Sequence, residues 1–244
     1  MEKHKITKLR MDPIRRKLRV ATKENITTGM LRIVFQSDEL RGFESPSPDD
    51  HIKVFIPGNQ SNEQISRDFT PRAWDVKERT LTLDFVLHER GPATEWALNA
   101  RLGDILEIAG PRGSTIVPDD FDWYLLLGDA TAIPSFSRRL QTIRPDVPVY
   151  VFLLNRETAN QHLLESTLNR HIYWLASNQN RFEDILAFRN ALHDFALPPG
   201  DGFVWIAAET KVSRELYRYL IEERKHPAEW VKASSYWTDT QKWD

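Results

Sequence analysis

Polar and apolar residues alternate with a period of two through most of the first half of the chain. Residues 18–22 and 31–35 read as the first strands, and Leu31, Ile33 and Phe35 alternate with Arg32 and Val34. In 51–56, Ile52, Val54 and Ile56 share one face, and His51, Lys53 and Phe55 the other. The turn signal Pro57-Gly58 closes that strand. Residues 59–66 are polar and predict a loop, and 67–72 begin the next extended piece. The clearest strand is 80–88, where Leu81, Leu83, Phe85 and Leu87 point one way and Thr82, Asp84 and His88 the other. Glu89-Arg90-Gly91 then turns into a helix over 92–99, with Pro92 in the first turn, where its missing N–H costs nothing. Residues 102–109 predict one more strand, stopped by Gly110-Pro111-Arg112-Gly113. Short strands, Gly/Pro turns and a single helix predict a small antiparallel β-barrel of six strands.

The pattern changes after Pro118-Asp119-Asp120. Continuous apolar runs at 123–127, 149–154, 172–176 and 203–207 alternate with helical spacing at 133–143, 161–169, 182–195 and 212–223. Apolar strands between helices predict a parallel sheet covered on both faces. The expected architecture is β + α/β, with a barrel domain over 1–117 and an α/β nucleotide-binding domain with a C-terminal tail over 118–244. Nucleotides bind such sheets at the carboxyl ends of the strands, where Gly128-Asp129-Ala130-Thr131-Ala132 falls.

Composition narrows the chemistry. The 244 residues carry a net charge of −2, which argues against bulk nucleic-acid binding. There is no cysteine, which excludes disulfides, Cys-ligated zinc or iron–sulfur clusters and thiol catalysis, and fits a reducing compartment. No apolar run reaches the length of a membrane helix, so neither membrane insertion nor a secretory signal is expected. The first two dozen residues are basic and predict a solvated arm leading into the first strand. Gly-x-Ser-x-Gly, Walker A, His-Glu-x-x-His and Gly-x-Gly-x-x-Gly strings are all absent.

One pair of stretches points to a flavin dinucleotide. In Arg67-Asp68-Phe69-Thr70, an arginine offers a fixed fork of donors to a pyrophosphate, an aromatic offers a flat surface to a ring, and a threonine hydroxyl can meet a ring nitrogen. Gly91-Pro92-Ala93-Thr94 opens the predicted helix, and free N–H groups at a helix start bind phosphate.

With these residues in order, the chain resembles the siderophore-interacting proteins, FAD-dependent ferric-siderophore reductases of the ferredoxin-reductase superfamily. The resemblance runs from about Leu18 to Trp237. It rests on the strings just quoted, on His51-Ile52-Lys53-Val54-Phe55, and on Gly128-Asp129-Ala130-Thr131-Ala132-Ile133-Pro134. It also rests on Ala207-Ala208-Glu209 and Tyr236-Trp237. It implies that hydride passes from NADPH or NADH to FAD and that single electrons pass on to siderophore-bound Fe(III). Hard oxygen chelators hold Fe(II) far less well than Fe(III), so reduction releases the metal.

By this similarity Arg67, Phe69, Thr70, His88, Gly91, Pro92, Ala93 and Thr94 hold FAD. Asp129, Thr131, Ala132, Glu209, Tyr236 and Trp237 border the cofactor and nicotinamide. Lys53, Arg138 and Lys242 face the anionic ferric siderophore. No residue is expected to ligate metal or to act as a catalytic acid or base. The implied partners are ferric siderophore and NAD(P)H, with no nucleic acid or membrane, in a cytoplasmic monomer. Three departures stand out: Phe69 replaces the usual tyrosine; Ala208 replaces a glycine, so that an added methyl is expected to hinder nicotinamide; and Ser235 replaces the glycine before Tyr236-Trp237, with Thr238-Asp239-Thr240 where basic residues often follow. Two other functions stay open: a flavoprotein that reduces another acceptor, and a ferric-siderophore carrier without turnover.

Overall fold

The computed structural model describes residues 3–58, 64–88, 91–156, 158–177 and 180–238. The chain divides into two compact units, Met1–Pro118 and Asp119–Asp244.

The first unit is antiparallel. Its strands are β1 (Thr7–Arg10), β2 (Arg15–Thr27), β3 (Met30–Gln36), β4 (Ile52–Pro57), β5 (Gln64–Phe69), β6 (Ala73–Asp75), β7 (Thr80–Val86), β8 (Ile105–Ala109) and β9 (Gly113–Ile116), with one helix, α1 (Pro92–Asn99). Seven of the strands form one sheet in the order β5-β4-β8-β2-β3-β7-β6. Period-two alternation sets the inward faces of β2, β3, β4, β7 and β8: Leu18, Val20, Ile33, Phe35, Ile52, Val54, Leu81, Leu83, Phe85, Leu106 and Ile108 are buried in one core. The two outermost strands, β5 and β6, are consecutive in the chain and joined only by residues 70–72. Four Cα–Cα steps reach at most about 14 Å. Seven strands laid flat would part their edges by roughly 29 Å. The sheet therefore curls until its edges meet, and residues 70–72 form the seam of the barrel.

Three expectations change here. The sheet has seven strands where six were predicted, because the three residues of β6 pair with β7. Gln64-Ile65-Ser66, which read as loop from their polarity, begin β5, since Pro57, Ile56 and Phe55 of β4 offer them a ladder. The basic arm is not wholly solvated. Thr7–Arg10 pairs with β9, and Arg16 is buried. Its guanidinium donates to the carbonyls of Glu39 (2.9 Å), Ile14 (3.2 Å) and Gly110 (3.2 Å).

The second unit is a five-stranded parallel sheet in the order β12-β11-β10-β13-β14. Its strands are β10 (Trp123–Asp129), β11 (Val149–Asn155), β12 (Arg170–Ala176), β13 (Gly202–Glu209) and β14 (Val231–Trp237). The helices are α2 (Ile133–Thr142), α3 (Arg181–His193) and α4 (Thr210–Arg218). All eight residues of β13 are buried, as expected of a strand covered on both faces. Two helix predictions fail in part. Residues 161–169 form only the end of a 3-10 turn (Thr158–Leu163) and a loop, where Ser166 and Thr167 hydrogen-bond Ile172 and Arg170 rather than a helical ladder. Residues 212–223 are helical, but α4 passes into a π-turn at Tyr219–Glu223, where the Arg224 N–H donates to the Tyr219 carbonyl at 3.1 Å.

Beyond that turn His226 is buried, with its ring centroid 5.5 Å from that of Trp123 and its Nε2 3.0 Å from the Gly202 carbonyl oxygen. Burial pulls its pKa below the ordinary histidine value, and the Gly202 carbonyl and Glu229 pull weakly the other way. The fold thus favours the neutral ring. That stability is present above about pH 6.5, the unfolded histidine value, and is lost as the pH falls below it. Thermal midpoints measured at mildly alkaline and mildly acidic pH should therefore show an acid-side loss that shrinks in His226→Gln. An equal loss in both proteins would rule the histidine out.

Candidate functional site

Two clusters gather the residues singled out in the sequence, one in each unit. In the first, Arg67 stands on β5 opposite Val54. Its guanidinium is exposed, and among the described residues its one hydrogen bond runs to the neighbouring Ser66 carbonyl at 2.9 Å. No carboxylate of the described residues forms an ion pair with it. Asp68, beside it, is taken by Lys53 across the ladder at 2.7 Å. That exposed pair contributes no more than about 1 kcal/mol, so an anion can compete for the lysine.

Phe69 is half-buried, with its ring centroid 4.6 Å from that of Phe85, and Phe85 lies 6.0 Å from Trp96 on α1. This row of rings ties the end of β5 to the helix. At the start of α1, Gly91 has φ +150° and no side chain caps the helix. A Cβ on Gly91 would stand 2.5 Å from Cε1 of His88, which is itself exposed. Pro92 occupies the first turn, and Thr94 is buried with its hydroxyl turned to the Val86 carbonyl at 3.5 Å. A guanidinium without an acid among the described residues, a half-exposed phenyl face, the Thr70 hydroxyl and a helix start held open by a glycine are the donor set that a dinucleotide carrying an aromatic ring requires. The residues present fit FAD.

The second cluster lies at the carboxyl ends of the parallel strands. Asp129 ends β10 and is enclosed by donors. Its Oδ1 accepts from the Thr131 N–H (2.9 Å) and hydroxyl (2.5 Å), and its Oδ2 accepts from the Trp237 indole at 2.8 Å. Burial raises its pKa above the usual carboxylate range, against the pull of Thr131, Trp237 and the Glu209 N–H. Ala132 is buried behind this turn. Glu209 ends β13 and caps α4, accepting from the N–H groups of Lys211 (2.6 Å) and Val212 (3.2 Å), with Arg181 3.3 Å away. The Tyr236 hydroxyl donates to Ser135 at 2.9 Å, and the Thr210 hydroxyl donates to the Trp237 carbonyl at 3.0 Å. The end of β14 is thus stitched to the ends of β10 and β13.

Some expectations are corrected. Arg138 is 7% exposed on α2, so it is not part of a solvent-facing basic wall. The Ala208 methyl belongs to the core beneath α3 and α4, among Leu127, Ile206 and Val212, and does not project toward a ligand. Lys242 lies outside the described residues. Ser135, Arg181 and Thr210 join the cluster without having been read from the sequence. An Asp-x-Thr turn at 129–131 is a recognisable capping signal, whereas nothing local marks Arg181. Among the described residues no group of His, Asp or Glu could hold a metal ion, and no helix is long and apolar enough to cross a membrane.

Comparison with known proteins covers most of the chain. The family model described as siderophore-interacting protein matches residues 121–240, and that described as siderophore-interacting FAD-binding domain matches 19–65 and 58–115. The NADPH-dependent ferric-chelate reductase of Escherichia coli (strain K12) is 34% identical, over 91% of this chain and 92% of its own. Ferric vibriobactin reductase ViuB of Vibrio cholerae is 26% identical, over 88% of this chain and 86% of its own. Among solved structures, a siderophore utilization protein from T. fusca superposes with a TM-score of 0.88 at 29% identity, covering 98% of each chain. A ferredoxin NADP+ reductase from Neisseria gonorrhoeae with bound FAD and NADP shares the fold at a TM-score of 0.63 and 12% identity, covering 91% of this chain and 99% of its own.

Proposed function

The chain belongs to the siderophore-interacting protein family, and from that premise we propose how its residues carry the family's reaction. It is an FAD-dependent oxidoreductase that takes electrons from NAD(P)H and reduces siderophore-bound Fe(III) to Fe(II), releasing the iron. The residue assignments are our own reading. Residues 1–117 form the FAD-binding domain and 118–244 the NAD(P)H-binding domain. The observation that carries this is the Arg67 guanidinium, without an acidic partner among the described residues, on the same strand as Phe69, whose ring is linked through Phe85 to the start of α1.

Arg67 and the Ala93 and Thr94 N–H groups bind the pyrophosphate, Phe69 supports the ring, and Thr70 and His88 complete the site. Bound there, FAD supplies two-electron acceptance from the nicotinamide and one-electron delivery to the ferric chelate. Asp129, Thr131, Glu209, Tyr236 and Trp237 shape the nicotinamide border. Lys53 draws in the anionic chelate, raising the encounter rate. Release of the metal follows from the weaker hold of hard oxygen ligands on Fe(II), so no protein ligand to iron is needed. We place the enzyme in the cytoplasm as a monomer.

The carrier reading drew on Ala208, and the burial of that methyl removes its support. An anaerobic absorbance titration tests the enzyme reading. The flavin of the purified protein should bleach with NADPH, then recover on addition of a ferric siderophore as a ferrous chelator reports Fe(II). Recovery with quinone or free flavin much faster than with ferric chelate would move the assignment to another acceptor. Failure to bind FAD at all would overturn it.

A further inference from the structure

We infer that Arg72 is a positioning residue for the flavin edge, closing the seam of the barrel through Asp84 so that Phe69 and Thr70 stand where the cofactor needs them; this rests on the FAD reading above. No hydrogen-bonded ladder joins β5 to β6, so the seam must be held by other means. Residues 69–72 are gripped at both ends by two consecutive residues of β7. On the core face, Phe85 packs against Phe69, with ring centroids 4.6 Å apart. On the opposite face, Asp84 meets Arg72, with Nε 4.0 Å from Oδ2. The Arg72 N–H also donates to the Thr82 carbonyl at 3.0 Å, fixing the backbone where it joins the far edge. Between the two grips only Thr70 and buried Pro71 span the seam, and proline fixes one of the few torsions left to them.

Asp84 is itself immobilised. Its side chain is 2% exposed and accepts two parallel bonds from Arg32, directly opposite on β3, at 2.7 and 2.8 Å. This fork leaves Asp84 no freedom to follow Arg72, so the arginine must come to the carboxylate. It also means that loss of Arg72 does not strand a buried anion, because Arg32 still neutralises it. The fold should therefore outlast the substitution while the placement of Phe69 and Thr70 does not.

The test uses the full chain freed of flavin. FAD affinity is measured by quenching of flavin fluorescence, the geometry of bound flavin by visible circular dichroism, and stability by the thermal midpoint of the apoprotein. In Arg72→Met the dissociation constant should rise about tenfold, the scale of one misplaced contact. The flavin dichroism should change, and the midpoint should move by no more than about 3 °C. Arg72→Lys, which keeps a positive charge beside Asp84, should recover part of the affinity, and it also serves as the test variant if Arg72→Met does not fold. FAD binding within twofold of the unsubstituted protein, with unchanged dichroism, would overturn the inference. Absence of FAD binding by the unsubstituted apoprotein would instead overturn the functional reading beneath it.

Discussion

Arg67→Ala should weaken binding of FAD to the apoprotein about 100-fold. The guanidinium makes one hydrogen bond among the described residues, to the adjacent Ser66 carbonyl, so its removal takes little from the fold. Two charge-assisted bonds to a pyrophosphate are together worth about 3 kcal/mol, which is roughly two decades in affinity. Arg67→Lys keeps the charge but cannot form the parallel pair, so it should fall between the two. Isothermal titration of FAD into the three apoproteins gives the comparison, with the thermal midpoint as a control for folding. Unaltered affinity in Arg67→Ala would remove the arginine from the site.

The second large effect concerns stability. Gly202→Ala should destabilise the parallel unit by about 3 kcal/mol or more, lowering its thermal midpoint by roughly 10 °C. Gly202 lies directly opposite Trp123 in the β10–β13 register, and a Cβ there would stand 2.1, 2.1 and 2.3 Å from atoms of the indole. The indole has nowhere to retreat, since His226 packs against it and bonds the carbonyl of Gly202 itself. Gly42 provides the contrast. Its φ of +70° disfavours alanine, yet no atom lies within 4 Å of where the added methyl would stand, so only the backbone cost of about 1 kcal/mol should appear. Calorimetry of both variants separates steric collision from conformational strain. A Gly202→Ala midpoint within a few degrees of the parent would show that the indole can yield.

Where one face of a strand or helix decides the outcome, residue order is enough to read it. The alternation in β3, β4 and β7 identifies the buried faces correctly, and α1 runs over 92–99 as expected. The apolar runs locate four of the five parallel strands. What cannot be read depends on partners distant in the chain. Asp84 reads as an outward polar residue of β7, and only the β3–β7 register sets it against Arg32 and buries it. Polar Gln64-Ile65-Ser66 become a strand because β4 is there to pair with. The second cluster illustrates the same limit. Asp129 and Trp237 are each visible as candidates, but the bond between them spans 108 positions and depends on β14 lying beside β13. Trp237 and Tyr236 carry no period that announces a strand, since β14 has no fully buried residue.

The sheet order of the first unit has a consequence for how the protein is made. The hairpin β4–β5 carries Arg67 and Phe69 and leads into Thr70, while β2, β3 and β7 pair in a separate antiparallel group, and the only hydrogen-bonded ladder between the two groups runs through β8. Five residues, Ile105–Ala109, therefore act as a keystone, and they leave the ribosome after every other strand of that sheet. Until they arrive the flavin edge is tied to the rest of the barrel only at the seam of residues 69–72, so this half of the chain must complete its sheet late and over long sequence separations. A defect in β8 should thus register first as nascent protein that fails to acquire its flavin.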